Sequence, residues 1–246
     1  MRRARSYAPN LQEECGGVPV SRIRPNEYFL RSQKYRKQMD LNCLIPAIQR
    51  VRTSDPQMGS REATYLRTYP AVLAIASCSG LDDTVRFLQL ATVVYGWMPR
   101  VLRLDPNHLD DAVVALREAR ETTDANRNGL LIHNVSACLR SVVGASKLLH
   151  FANPKLFPIW DRKVERFRLG ADPSQYHMDQ IRNYTGYASV IHEIRQASGF
   201  SGFYAAFNEA LGERLTRLEI PPYHLTEVRS VESAAFELAG NEIDEA

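Results

Sequence analysis

The feature that most constrains the fold of this chain is the three- and four-residue spacing of its apolar residues. Residues 81–96, LDDTVRFLQLATVVYG, begin with acids, repeat apolar side chains at helical spacing and end at a glycine. Residues 108–121 show the same spacing, with acids early and arginines late. Acids near the N-terminus and cations near the C-terminus both stabilise a helix. The spacing therefore predicts a helix in each segment.

The later part of the chain has the same helical signature and almost no strand signal. Its amphipathic segments, separated by glycines and a Pro-Pro pair, are residues 173–196, 200–215 and 225–240. Residues 97–104, WMPRVLRL, could be extended, but no set of alternating β-branched runs accumulates. We therefore expect an all-α, multi-helical fold.

Length and composition allow one large domain or two small ones, each with its own core, since the chain has 246 residues and is 44% hydrophobic. Its pattern predicts a loose basic N-terminal arm at 1–20, a helical half over 21–129 and a second half over 130–240 that includes the C-terminal helices. Residues 240–246 are expected to be a second loose end.

Charge is unevenly distributed. Residues 1–60 contain eleven Lys or Arg and five acids, whereas the tail from Glu219 contains seven acids and one Arg. The formal net charge of +3 and the pI near 8.7 permit binding to a polyanion without requiring it. A solvated helix face explains the basic run RSQKYRKQ, residues 31–38, as well as a phosphate-binding surface does.

The cysteines indicate a reduced compartment and no metal. Cys15, Cys43, Cys78 and Cys138 form no CxxC pair, which argues against both a zinc site and a disulfide framework. No stretch approaches the ~18 uncharged apolar residues of a membrane helix, and the basic start lacks the apolar run of a signal peptide. We expect a cytoplasmic protein that does not contact a membrane.

The stretch 144–164, GASKLLHFANPKLFPIWDRKV, contains the chemistry-bearing residues. Residues 130–151 before its loop are either one buried helix or two helices joined near Gly144. Asn153-Pro154 interrupts the helix, and the next helix is predicted from Asp161 to Gly170. An aspartate at that position can cap the helix, worth about 1 kcal/mol. It can also perform chemistry on a phosphodiester polymer, because cations follow it.

The segment SVVGASKLLHF followed by FPIWDRKVERFRLG resembles the helix-hairpin-helix DNA glycosylases, which have a hairpin around a glycine, a helix, and an apolar segment that ends in a catalytic aspartate. The likeness is to archaeal 8-oxoguanine glycosylases in particular, and covers about 25 to 30 residues. The residues that carry it are Ala145, Ser146, Ile159, Asp161 and Arg162. It implies that the 130–240 half is glycosylase-like and that DNA is the partner.

The resemblance also implies roles for individual residues. Asp161 would stabilise an oxocarbenium-like sugar and activate water, and no cofactor would be needed. The residues expected to contact DNA are Gly144, Lys147, Arg162, Lys163 and Arg166. An extruded base would stack on Trp160 or Tyr187.

The sequence departs from the family pattern in three ways. Alignment on Ala-Ser places Val143 where bifunctional members carry their nucleophilic lysine, so a monofunctional enzyme is implied. Lys147 is then solvent-facing or contacts phosphate, unless the alignment slips by one turn. The usual Leu-Pro-Gly-Val-Gly turn is replaced by Arg140-Ser141-Val142-Val143-Gly144, and no cysteine cluster for an iron–sulfur centre follows.

A second hypothesis from another class is a non-catalytic helical DNA-binding or protein-interaction scaffold. There Asp161 only caps a helix and a buried Trp160 anchors the loop. Trp97 is predicted to plug the core rather than bind a base. His150 is expected to be a satisfied core histidine, with orientation of Asp161 as the alternative role.

Overall fold

The structure, a computed structural model, describes residues 39–239. The predicted arm at 1–20, the start of the 21–129 segment, the basic run 31–38 and the tail after 239 lie outside these residues. All regular secondary structure in residues 39–239 is helical. The predicted all-α, multi-helical fold is therefore confirmed.

Several helices begin at capping residues that are visible in the sequence. The side chains of Ser60, Asp82 and Thr226 each accept a hydrogen bond from an amide two or three residues later. The α-helices are α1 (Leu41–Leu44), α2 (Pro46–Thr53), α3 (Arg61–Ala76), α4 (Asp83–Trp97), α5 (Leu109–Glu121), α6 (Asn128–Leu139), α7 (Val142–Ala152), α8 (Arg162–Leu169), α9 (Gln175–Met178), α10 (Ile181–Gln196), α11 (Phe200–Arg217) and α12 (Glu227–Leu238).

Helices α6 and α7 form a hairpin, so residues 130–151 are two helices rather than one. The break is at Arg140, which has a positive φ of 50°, and at Ser141, whose hydroxyl accepts a hydrogen bond from the Gly144 amide at 2.9 Å. Gly144 itself lies inside α7. A Cβ at this position would be 2.5 Å from the Tyr95 hydroxyl oxygen, so the glycine is required by helix packing rather than by the turn.

The described helices pack in two groups. The central group is α3–α7, a series of neighbours in sequence. The terminal group is α1, α2, α8, α10, α11 and α12, in which α2 lies against both α11 and α12. The described parts of the segments 21–129 and 130–240 are therefore intermixed, and residues 39–239 belong to one compact unit.

Arg214 of α11 ties the two ends of the terminal group together. Its buried guanidinium donates to the carbonyls of Val51 and Ser54 at the C-terminus of α2, at 3.2 and 2.6 Å. It also pairs with Glu237 of α12 at 2.6 Å. A cation is favoured at a helix C-terminus, where the last carbonyls have no partner within the helix. One arginine thus holds three helices in a fixed arrangement.

Candidate functional site

A cavity lies between the central and the terminal group. It has about 140 Å³ of space for the centres of water-sized molecules, which is room for on the order of ten waters. Helices α2, α3, α7, α11 and α12 and the loop before α8 all contribute to its walls. The ionisable side chains on its wall include Lys147, Asp161, Lys163, Arg229 and Glu232.

Asp161 lies on the wall of this cavity and is half-buried. It is the N-cap of α8, where its Oδ1 accepts a hydrogen bond from the Val164 amide at 3.0 Å. Among residues 39–239 the amide of Val164 is the one hydrogen-bond donor to this carboxylate. The capping role is therefore real, and it leaves the second carboxylate oxygen uncommitted.

The loop that presents Asp161 is fixed by hydrogen bonds from the core. The Ser146 hydroxyl accepts a hydrogen bond from the Trp160 amide at 3.1 Å, and its single proton is shared between the carbonyls of Val143 at 2.9 Å and Trp160 at 3.3 Å. The Tyr187 hydroxyl donates to the Ile159 carbonyl at 3.2 Å. These bonds leave the backbone before Asp161 little freedom, as a preorganised site requires.

His150 is a core histidine that also holds this loop. Its Nδ1 donates to the Phe157 carbonyl at 2.8 Å, so its Nε2 accepts from the Tyr69 hydroxyl at 2.9 Å. Complete burial lowers the pKa of His150 to about 3, which keeps the ring neutral. Its contact with Phe157 supports the loop and does not reach Asp161.

Lys147 lies in the same cavity as Asp161. Its Nζ is 5.7 Å from the centre of the Trp97 ring, and the residue is half-buried. Removal from water lowers the pKa of the Lys147 amine, and the negative charge of Asp161 opposes that shift. An amine of lowered pKa in the same cavity as a carboxylate can act as a nucleophile or a base. The sequence instead indicated a solvent-facing or phosphate-contacting residue.

An acid on α12 was missed by the sequence analysis. Glu232 is 1% exposed and lies on the cavity wall, paired with Arg229 one turn earlier. Burial raises the pKa of Glu232 to about 7, and the Arg229 guanidinium only partly offsets this effect. The signal was present in the sequence, because Glu232 follows Val228 and Val231 on the apolar side of an amphipathic helix.

The two aromatic residues expected to stack on a base are in the core. Trp160 and Tyr187 are both 0% exposed. The Trp160 indole N–H donates to Glu165 at 3.1 Å, and Tyr187 holds the Ile159 carbonyl. Neither ring has a free face, so the stacking role assigned to them from the sequence is corrected. Buried Trp160 anchors the loop, as in the scaffold hypothesis.

Other aromatic rings line the cavity. Tyr65, Trp97 and Phe236 are half-buried and contribute to its wall. Trp97 also packs edge-on against Phe151, with ring centres 5.2 Å apart, and its indole N–H donates to the Thr68 hydroxyl at 3.0 Å. Trp97 is thus a packing residue, as predicted, and part of the cavity wall as well.

The residues expected to contact DNA are in three different environments. Lys147 and Lys163 line the cavity, where Lys163 Nζ lies 3.8 Å from the centre of the Phe236 ring. Gly144 is buried and its amide is bound by Ser141, so it cannot hold a phosphate in this structure, and that expectation is corrected. The exposed Arg162 lies 3.5 Å from Gln175, and Arg166 pairs with Asp172. Neither arginine is part of the cavity wall.

Residues 39–239 lack two further features. No helix there is both long and apolar enough to cross a membrane. No cluster of three or more His, Cys, Asp or Glu side chains there is arranged to hold a metal ion. Comparison of the chain with protein-family models, curated proteins and solved structures finds no match.

Proposed function

We propose that this protein is a DNA-acting, base-excision N-glycosylase whose reaction takes place in the cavity between the two helix groups. The observation that carries the proposal is the uncommitted oxygen of Asp161 on the wall of a partly open cavity that also contains Lys147. A base must leave the duplex to reach a site inside such a cavity. The resemblance of residues 144–170 to glycosylases, described above, points to the same chemistry.

In the proposed reaction the bond between the sugar and the base breaks and an oxocarbenium-like sugar forms. The carboxylate of Asp161 stabilises this cation and accepts a proton from the water that attacks it. The rigid loop supports this role, since the carboxylate does not have to reorganise as charge develops. Tyr65, Trp97 and Phe236 replace Trp160 and Tyr187 as the proposed contacts of the base.

The test is release of bases from duplexes that contain uracil, 8-oxoguanine, an alkylated base or a mismatch, scored as abasic sites. Asp161→Asn should abolish release while retaining DNA binding and the fold, because asparagine is an equally good N-cap. The matched control is Asp82→Asn, which changes the N-cap of α4 outside the cavity wall and should leave release unchanged. Equal release by Asp161→Asn and wild-type protein would reject the assignment and favour the scaffold hypothesis.

A second candidate activity is a lyase step, favoured by the position and lowered pKa of the Lys147 amine. The amine nitrogen would displace the base at the sugar C1′ and lose a proton. The C1′–O4′ bond of the ring would then open, with a proton going to O4′, to give the Schiff base. Borohydride reduction would then trap the protein on DNA. Lys147→Met should lose the trapped species, and the exposed Lys155→Met should keep it. Base release without trapping by the wild-type protein would leave the monofunctional mechanism.

A further inference from the structure

Glu232 has an unused carboxylate oxygen that is shut off from bulk solvent. Its Oε1 pairs with Arg229, whereas its Oε2 is buried and has no hydrogen-bond partner. A buried carboxylate oxygen without a partner costs free energy, and such a group in a native structure calls for an explanation. The residue lines the cavity. A group bound in the cavity that reaches this oxygen, either water or a ligand, would supply a partner.

The surroundings of Glu232 favour its protonated form near neutral pH. Burial raises its pKa to about 7, the charges of Arg229 and Lys147 lower it, and the charge of Asp161 raises it. The other ionisable residues that line the cavity are Arg50, Asp55, Glu62, Tyr65, Tyr69, Lys163, Arg214, Tyr223 and Glu237. Tyr184 and Tyr187 of α10, which packs against α12, also interact with the Glu232 charge. An acid whose pKa is close to the working pH is an effective proton donor.

We infer that Glu232 is the general acid that protonates the departing base, an inference that rests on the glycosylase function proposed above. As the sugar–base bond breaks, its electron pair remains on the base and the Glu232 proton moves to an acceptor atom of the base. Water adds to the sugar carbon, and its proton passes to Asp161 and then returns to the Glu232 carboxylate through solvent. Water is consumed, and both carboxyl groups are restored.

This role has a consequence that a structural role does not have. Neutral bases such as uracil or 8-oxoguanine leave as anions unless they are protonated. A base alkylated on a ring nitrogen, such as 7-methylguanine, is already cationic and leaves as a neutral molecule. Removal of the acid should therefore slow release of neutral bases selectively.

The experiment compares single-turnover release of uracil, 8-oxoguanine and 7-methylguanine by wild-type protein, Glu232→Gln and Glu227→Gln. Glu227 is the matched control, because it lies on the same helix in an ion pair with Arg195 outside the cavity wall. Glu232→Gln should slow release of neutral bases by about 10²-fold or more and leave release of 7-methylguanine nearly unchanged. The wild-type rate on neutral bases should fall as pH rises through about 7, and the variant should lack that fall.

Arg229→Gln is the second variant, and it decides the question if Glu232→Gln does not fold. Loss of the neighbouring cation should move the falling limb to higher pH. An equal loss on all three bases, an unmoved limb, or wild-type release of 7-methylguanine alone would overturn the inference while the glycosylase function stands. No release by the wild-type protein would overturn both.

Discussion

Glu165 on α8 and Glu232 on α12 are both buried carboxylates on helices that pack against each other, yet their environments differ. Glu165 accepts hydrogen bonds from the Trp160 indole at 3.1 Å, from Arg168 at 2.5 and 2.7 Å and from His177 at 2.5 Å. Glu232 has one bonded oxygen and one unbonded oxygen. The same degree of burial thus gives one satisfied and one unsatisfied acid.

The pKa values of the two glutamates follow from this difference. Burial opposes ionisation of Glu165, but the bonds from Arg168, His177 and Trp160 outweigh it and hold its pKa below the ordinary value. Burial of Glu232 is offset only in part by Arg229, so its pKa rises to about 7. The number of donors, rather than burial alone, decides whether an interior carboxyl group is a structural anion or an available acid.

The largest expected effect is that of Glu165→Gln, which should lower the free energy of unfolding by about 3–5 kcal/mol, because it leaves buried donors facing an amide N–H₂. The loss should be full above pH 4.5 and shrink at lower pH, since the lowered pKa of Glu165 stabilises the protein only where the carboxylate is ionised. Urea unfolding at several pH values measures the size of this loss and its dependence on pH. Glu118→Gln, which breaks a half-exposed pair with Arg127, should cost much less, because solvent screens that pair. Equal losses of stability for Glu165→Gln and Glu118→Gln would contradict the distinction between a buried and a half-exposed carboxylate.

Glu232→Gln should have the opposite dependence on pH. The folded pKa of about 7 lies above the ordinary 4.5, so wild-type protein loses stability as pH rises through this window, whereas the variant does not. Between pH 4.5 and pH 7 the free energy of unfolding of the variant, minus that of wild type, should therefore rise by about 3 kcal/mol. Urea unfolding at pH 5, 6 and 7 tests this. A constant difference would mean that Glu232 is ionised throughout.

Removal of one donor should make Glu165 more like Glu232, a buried carboxylate with too few hydrogen-bond donors. Trp160→Phe deletes the indole N–H and should cost about 2 kcal/mol, since the lost bond goes to a charged group. It should also raise the pKa of Glu165, so that acid unfolding begins at higher pH. Trp97→Phe, which loses a bond to the neutral Thr68 hydroxyl, should cost about 1 kcal/mol. Acid titration followed by circular dichroism would contradict this account if both variants unfolded at the wild-type pH.

The smallest expected effect concerns the surface beside the cavity. Arg162→Gln should weaken DNA binding by less than about 1 kcal/mol and reduce the slope of log affinity against log salt by about 1, if this exposed arginine contacts one phosphate. Arg103→Gln, also exposed, is the control. Binding titrations at several salt concentrations measure the slope, and equal slopes for Arg162→Gln and wild type would remove Arg162 from the DNA-contacting surface.

Local structure could be predicted from the sequence, and pairings across the chain could not. Helices α4 to α8 and α10 to α12, the α8 N-cap at Asp161 and the loop before it depend on neighbouring residues, so spacing and capping rules predict them. Helices α1 to α3 were not predicted individually. The burial of Trp160 and Tyr187 depends on α7, α8 and α10 packing together, which no local pattern encodes. The pairing of α2 with α11 and α12 likewise depends on contacts between distant parts of the chain.

The tie between α2 and α11 has a consequence for the order of folding. The hydrogen bond from Arg52 to Glu209 joins residues 157 positions apart, whereas the helices of the central group contact their neighbours in sequence. Closure of so long a loop costs conformational entropy before any contact compensates for it. We therefore expect the α3–α7 group to form before α2 pairs with α11, and the cavity between the two groups to be complete only after that pairing. A molecule that binds in the cavity would then stabilise the final packed state and slow the separation of the two helix groups.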